Sequence, residues 1–355
     1  MKKLFVVLCL FSLLLTNKVQ ALTTGAKSVI LMDQDSKRIL YQKNINEVRS
    51  VASISKIMTG ILACESGKLD KKIKVGSEID KAYGSGIYIK KDEVMTIRDL
   101  TYGLMLRSGN DAALALAKNI GGSVDQFVKM MNKKAQEIGM NNTTFYNPSG
   151  LDEDKGNYST SYDMAILTSY AMKNKDYRKI VATKNYKLST NMNTYSWTNK
   201  NKLLRLYKYT TGGKTGFTKI ARRTLVSTAS KDNLNLVIVT LNDGNDFNDH
   251  KNLYEEYFNK YHSYSILNKG IITINDDKYY KNKKLYIKND IKYPLREDEE
   301  DLIKIEYHLD KNKKVSGKVG NVEVMLSDKK ILSEPIYIKE HTNNKNKKRK
   351  WFKLW

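Results

Sequence analysis

The chain has 355 residues, 41% hydrophobic and 28% charged, which is ample for a buried core and long enough for two domains. Lys and Arg number 62 against 38 Asp and Glu, a net charge of +24 that points to anionic surfaces such as phospholipid headgroups or wall polyanions. No helix-turn-helix, zinc-finger or RNA-binding signature accompanies the charge, so nucleic acid is not an expected partner.

Residues 1–21 read as a secretory signal peptide. Lys2 and Lys3 form a positive start, Leu4 to Leu15 is apolar, and Val19-Gln20-Ala21 is a small-residue cleavage pattern. The run is too short and wrongly flanked to span a membrane stably, and Cys9 within it has no lipobox. Once the signal is removed, Cys64 is the single cysteine, which excludes an internal disulfide and a cysteine metal cage. Ser28 to Met32 and Arg38 to Tyr41 then flank a hairpin turn at Asp33 to Lys37.

Ala52 to Leu62 is the next element, a helix with Ile54, Ile57, Met58, Ile61 and Leu62 spread over most of its circumference, hence a buried one. Ser53 and Lys56 lie three residues apart, which places a hydroxyl and an amine on one face, one turn apart. Such a pair is costly inside a core unless it is used. A neutral amine can take the hydroxyl proton and make Ser53 a nucleophile. The tetrapeptide alone is unspecific, since Ser327-Asp328-Lys329-Lys330 repeats it in a polar hairpin turn.

Thr96 and Asp99 open another helix as N-cap and capping-box partner. Its apolar residues Ile97, Leu100, Leu104 and Met105 stop at Arg107-Ser108-Gly109-Asn110, where Gly109 is expected to make the turn. Asp111 to Lys118 forms a short helix closed by Gly121-Gly122. Ser123 to Gln126 is a second capping box, leading a helix with Phe127, Met131, Ala135 and Ile138 on one face and Gly139 at its end. Strands return at Thr224 to Ala229 and Leu234 to Leu241, and an amphipathic helix carrying Phe247, Tyr254, Tyr257, Phe258 and Tyr261 closes a first domain, 22–264. Short β-like runs split by Lys, Asn and Asp follow, at Ile271 to Ile274, Leu285 to Ile287, Leu302 to Leu309, Val319 to Leu326 and Ile331 to Ile338. They read as a small β domain, 265–340, without a pattern that suggests chemistry. The tail, 341–355, joins Lys345 to Lys350 to Trp351, Phe352 and Trp355, a reversible contact with an anionic membrane surface.

Two further motifs follow Ser53 and Lys56 in order. Ser108-Gly109-Asn110 sits on a tight loop between helices, and Lys214-Thr215-Gly216 precedes Phe217 at the start or edge of a sheet. Any one is common by chance, as the spare Ser189-Thr190-Asn191 shows. The ordered set is specific, and it is the signature of active-site-serine penicillin-recognising enzymes.

The chain therefore resembles the low-molecular-mass penicillin-binding proteins, the serine-type D-alanyl-D-alanine carboxypeptidases of the peptidase S11 family. The likeness extends to Ile39 to Asn44, Thr96 to Leu104, Ser108 to Ala113, Phe145 to Leu151, Ser159 to Met164 and Gly213 to Thr218. Val51 stands where the family usually has proline and Asn157 where histidine is frequent; neither belongs to the three motifs. The resemblance implies an α+β fold, a penicillin-binding/β-lactamase-like transpeptidase domain with helices around an antiparallel sheet, followed by a small all-β domain. It also implies an exported enzyme on the outer face of the cytoplasmic membrane or in the wall, with no metal or organic cofactor. Its substrates would be peptidoglycan stem peptides ending in D-Ala-D-Ala, with β-lactam antibiotics as acylating inhibitors.

By the same resemblance Ser53 attacks the peptide carbonyl, and Lys56 is its base, made neutral by burial and by the nearby positive Lys214. Ser108 relays the proton to the leaving amine, and Asn110 binds the substrate amide. Lys214 and Thr215 hold the terminal carboxylate, and Ser53 and Phe217 supply oxyanion N–H groups. Gly216 lets the substrate backbone approach the strand. Competing readings lack their parts. A class A β-lactamase needs Glu-x-x-Leu-Asn between Asn110 and Lys214, and Leu267-Asn268 comes too late without the glutamate. A phosphate loop at Gly213-Lys214-Thr215 has Lys208 where glycine is required, and His250, His262, His308 and His341 make no His-Glu-x-x-His. A D,D-endopeptidase and an idle wall- or membrane-binding scaffold remain open.

Overall fold

The computed structural model describes residues 24–152, 155–274, 277–280, 283–310 and 316–338; the expected signal peptide and tail lie outside the described residues. Two compact units emerge. One comprises residues up to 31, 41–228 and 237–255; the other comprises 32–40, 229–236 and everything from 256.

Helices and a five-stranded sheet make up the part of the fold that carries the motifs. The strand order is Ile39–Lys43, Ser28–Asp33, Leu234–Leu241, Arg222–Lys231, Thr210–Thr218, so the Lys-Thr-Gly strand is an edge. The helix Lys56–Glu65 is buried from Lys56 to Cys64, as a helix apolar on most sides must be. Around it pack the helices Ile97–Tyr102, Asn110–Gly121, Ser161–Ala171 and Lys175–Ala182. Gly60 permits this closeness: a Cβ there would sit 3.0 Å from Met105 Sδ and 3.5 Å from the Tyr177 ring.

The local signals are realised unevenly. Thr96 and Asp99 form the complete capping box, whereas Ser123 supplies one arm, its Oγ accepting from Gln126 N at 3.2 Å. The helix from Ile97 widens into a π-turn, Gly103–Arg107, before the Ser108 loop. The turn itself corrects the expectation for Gly109. Ser108 takes the left-handed conformation, φ 66°, while Gly109 has φ −60°. Glycine at 109 serves close packing instead, because a Cβ there would lie 2.8 Å from Asp111 Oδ1.

In the second unit the all-β expectation holds. An antiparallel sheet runs Gly270–Ile272, Leu285–Ile287, Lys329–Ile338, Gly317–Leu326, Ile303–Leu309. Alternating residues such as Val322, Val324, Ile336 and Ile338 turn to its core. Ser327-Asp328 is the turn between its two long strands, with Ser327 at φ 55°, and Lys329 and Lys330 begin the second strand. No helix of the described residues is long and apolar enough to cross a membrane.

Candidate active site

Ser53 sits in a 3-10 turn, Ala52–Ser55, and the α-helix begins only at Lys56. The expected helical spacing still works, because side chains three apart eclipse in a 3-10 turn. Lys56 Nζ lies 3.1 Å from Ser53 Oγ. The residue before Ser53, Ala52, is strained at φ 50°. Gly150 packs against it so closely that a Cβ would collide with Ala52 O.

Lys56 is wholly buried, and three oxygens surround its amine: Ser53 Oγ, Asn110 Oδ1 at 2.7 Å and Ser149 O. A neutral amine has two N–H groups and one lone pair. The ammonium form donates to all three, Ser53 Oγ included; in the neutral form, donation to Asn110 and Ser149 would use both hydrogens and leave the lone pair for the Ser53 hydroxyl. Burial pushes the Lys56 pKa down to about 7, with Lys200 adding to the depression and Asp111 opposing it. The expected burial is thus the main cause, and the cation that adds to it is Lys200 in place of the expected Lys214. Lys214 is itself fully buried and held well below its ordinary range by the same desolvation, then by Lys56 and Lys200.

Lys214 Nζ donates to Ser108 Oγ at 3.1 Å and to Thr215 O at 2.7 Å. At 1% exposure it does not face an incoming anion. The cleft in front of Ser53, about 310 Å³, is lined by Ser108, Thr215, Gly216 and Phe217, and its cations are Lys200, Lys202 and Arg223. Arg223 is paired with buried Asp246 and lies over the Phe247 ring at 5.5 Å, while Lys200 Nζ donates to Ser85 Oγ at 3.3 Å. Gly216 is also required by the protein's own packing. A Cβ there would collide with Thr224 Oγ1 and lie 3.1 Å from Ser53 N, so it is the protein's own backbone that requires the approach.

Asn110 brings the loop and the helix together. Its Nδ2 donates to Tyr83 O at 2.6 Å and its N to Ser85 O at 2.7 Å, while its Oδ1 accepts from Lys56. Its neighbour Asp111, not singled out from sequence, accepts from the backbone N–H groups of Ile87, Tyr88 and Ile89 and so fixes the segment beside the cleft. Ser149 was also missed as a site residue; it is presented by a turn in which Asn147 Oδ1 accepts from Ser149 N and Gly150 N. Asn157 pins that turn through Tyr146 N at 2.7 Å and Asn147 O at 2.9 Å. The two departures from the family pattern meet here: Val51 N donates to Asn157 O at 3.1 Å, a bond proline could not give.

Residues 15–245 match the peptidase S11 family, D-alanyl-D-alanine carboxypeptidase. The chain belongs to that family. Residues 261–343 match the penicillin-binding protein 5 C-terminal domain. Among relatives, the chain is 38% identical over 228 residues to the D-alanyl-D-alanine carboxypeptidase DacF of Bacillus subtilis, covering 62% of this chain and 58% of that protein. It is 33% identical over 238 residues to DacC of Escherichia coli, covering 63% and 58%. The match thus spans 58% of the length of each of these relatives. Penicillin-binding protein 5 from Haemophilus influenzae superposes with a TM-score of 0.76 at 26% identity, covering 91% of this chain and 98% of that one. Penicillin-binding protein 6B from Escherichia coli gives 0.71 at 26%, covering 90% and 97%. The fold is that of these family members: helices with an antiparallel sheet, then an all-β domain.

Proposed function

We propose that this chain is a serine D-alanyl-D-alanine carboxypeptidase that removes the terminal D-alanine from peptidoglycan stem peptides and is acylated by penicillin. One observation carries the reading: a fully buried amine at 56, its pKa near 7, 3.1 Å from the hydroxyl of Ser53. In this reading Lys56 takes the Ser53 proton as Oγ attacks the carbonyl of the penultimate D-alanine. The oxyanion is met by the N–H groups of Ser53 and Phe217. Ser108, held by Lys214, passes a proton to the departing nitrogen; the C–N bond breaks and D-alanine leaves. Water then attacks the ester and restores Ser53. Thr215 and Arg223 hold the terminal carboxylate, with Lys214 serving Ser108 instead.

The same proposal includes export by residues 1–21, a catalytic domain over 22–264, a β domain over 265–340 and peripheral membrane contact through 341–355. The test is labelling with a fluorescent penicillin and release of D-alanine from a pentapeptide. Wild type should do both, and Ser53→Ala neither. Absence of both in wild type would leave an idle scaffold, and faster cleavage of a cross-linked dimer than of the pentapeptide would favour the endopeptidase.

A further inference from the structure

A second cavity, about 530 Å³, is lined in part by the segment that Asp111 fixes, at Ile87 and Tyr88, and by residues 193–198, Tyr195 and Trp197 among them. At its edge stands Tyr88, an aromatic side chain 80% exposed whose backbone is left-handed at φ 62°. That conformation is unfavourable for a bulky residue and persists only where the surroundings impose it. Here Asp111 imposes it, accepting from Tyr88 N at 2.7 Å and from both neighbouring N–H groups. The backbone that carries the ring is thereby held in place, and the ring stands out to solvent. The rest of the cavity wall is hydrogen-bonding and neutral at Asn193, Thr194, Ser196 and Thr198, with Arg107 and Lys90 the charges and no carboxylate among its described lining residues. One exposed aromatic face beside amide and hydroxyl groups suits a sugar ring, which offers an apolar C–H face and a rim of hydroxyl and acetamido groups.

We infer that this cavity binds the glycan strand from which the stem peptide hangs. The inference rests on the carboxypeptidase reading for the identity of the polymer. Reach agrees with it. Ser85 lines the catalytic cleft, and the three residues from Ser85 to Tyr88 span at most about 11 Å. Four residues of a pentapeptide stem precede the scissile bond, an extended length of about 13 Å. A sugar attached to a stem seated at Ser53 therefore falls within range of the Tyr88 ring.

The probe for binding is a peptide-free glycan strand of alternating N-acetylated amino sugars, titrated while resonances of Tyr88, Asn193 and Tyr195 are followed. They should shift in wild type and in Tyr88→Phe, and fail to shift in Tyr88→Ala. The kinetic test compares a glycan-linked pentapeptide with the free pentapeptide. The ratio of their kcat/KM values should exceed one in wild type and fall about tenfold in Tyr88→Ala, while Tyr88→Phe retains it. Penicillin labelling checks that each variant is assembled. No shift with the glycan strand, or a ratio unchanged by Tyr88→Ala, overturns the inference. Binding of the glycan by a protein that neither labels nor releases D-alanine would overturn the carboxypeptidase reading and leave the glycan site standing.

Discussion

At the scale of single residues, burial decides which lysine does what. Lys56 and Lys214 are both enclosed and both shed their protons more readily than an exposed lysine, so neither suits a fixed cation for an anionic substrate. Arg223 does, because a guanidinium stays charged, and its pairing with buried Asp246 orients the fork while leaving other N–H groups free to donate. Arg223→Gln should raise KM about tenfold for a peptide ending in a free carboxylate and leave the terminal amide unaffected. Equal loss on both would show that Arg223 acts on the fold and not on the carboxylate. The Ser-x-x-Lys pair was legible from sequence because its geometry is local. The Lys200, Ser149 and Arg223 contacts were not, since each joins positions far apart in the chain.

At the scale of elements, the site depends on a strand laid hard against a turn. The edge strand Thr210–Thr218 passes the 3-10 turn of Ser53 so closely that only glycine fits at 216. Gly216→Ala must push the strand away from Ser53 N, widening the pocket that the oxyanion enters. Penicillin acylation should slow a hundredfold or more, with a stability loss of about 1–3 kcal/mol measured by urea unfolding. Unchanged acylation would mean that the Ser53–Phe217 N–H pair is not the oxyanion hole. Hydrophobic spacing revealed the buried helix, and the capping residues Thr96 and Asp99 revealed the next one. It did not reveal the left-handed Ser108, because that conformation is set by tertiary contacts such as Asn110 N to Ser85 O. Nor did it give the hairpin Asn185–Ser189 and Thr194–Thr198, in which Trp197 is the one buried position and the others are half-buried or exposed.

For the whole molecule, charge adds a layer that the fold does not require. Without residues 1–21, which hold Lys2, Lys3 and Lys18 and no acid, 59 of the 62 Lys and Arg remain against 38 Asp and Glu, a net charge of +21. The protein should bind vesicles containing about 30% anionic lipid at low ionic strength and release them by about 0.5 M salt. Removal of 341–355 should abolish the sedimentation; persistence without those residues would place the contact elsewhere. The catalytic claim, however, turns on the protonation of one amine. Acylation needs Lys56 neutral, and its proton leaves near pH 7, so the reactive form is scarce below that pH and complete above it. The direct measurement is the second-order rate of penicillin acylation across pH 5 to 10. It should climb about tenfold per pH unit at the acid end, bend near 7 and stay level to 9. A rate that keeps climbing through pH 9 would show an ordinary, solvated ammonium and contradict the account.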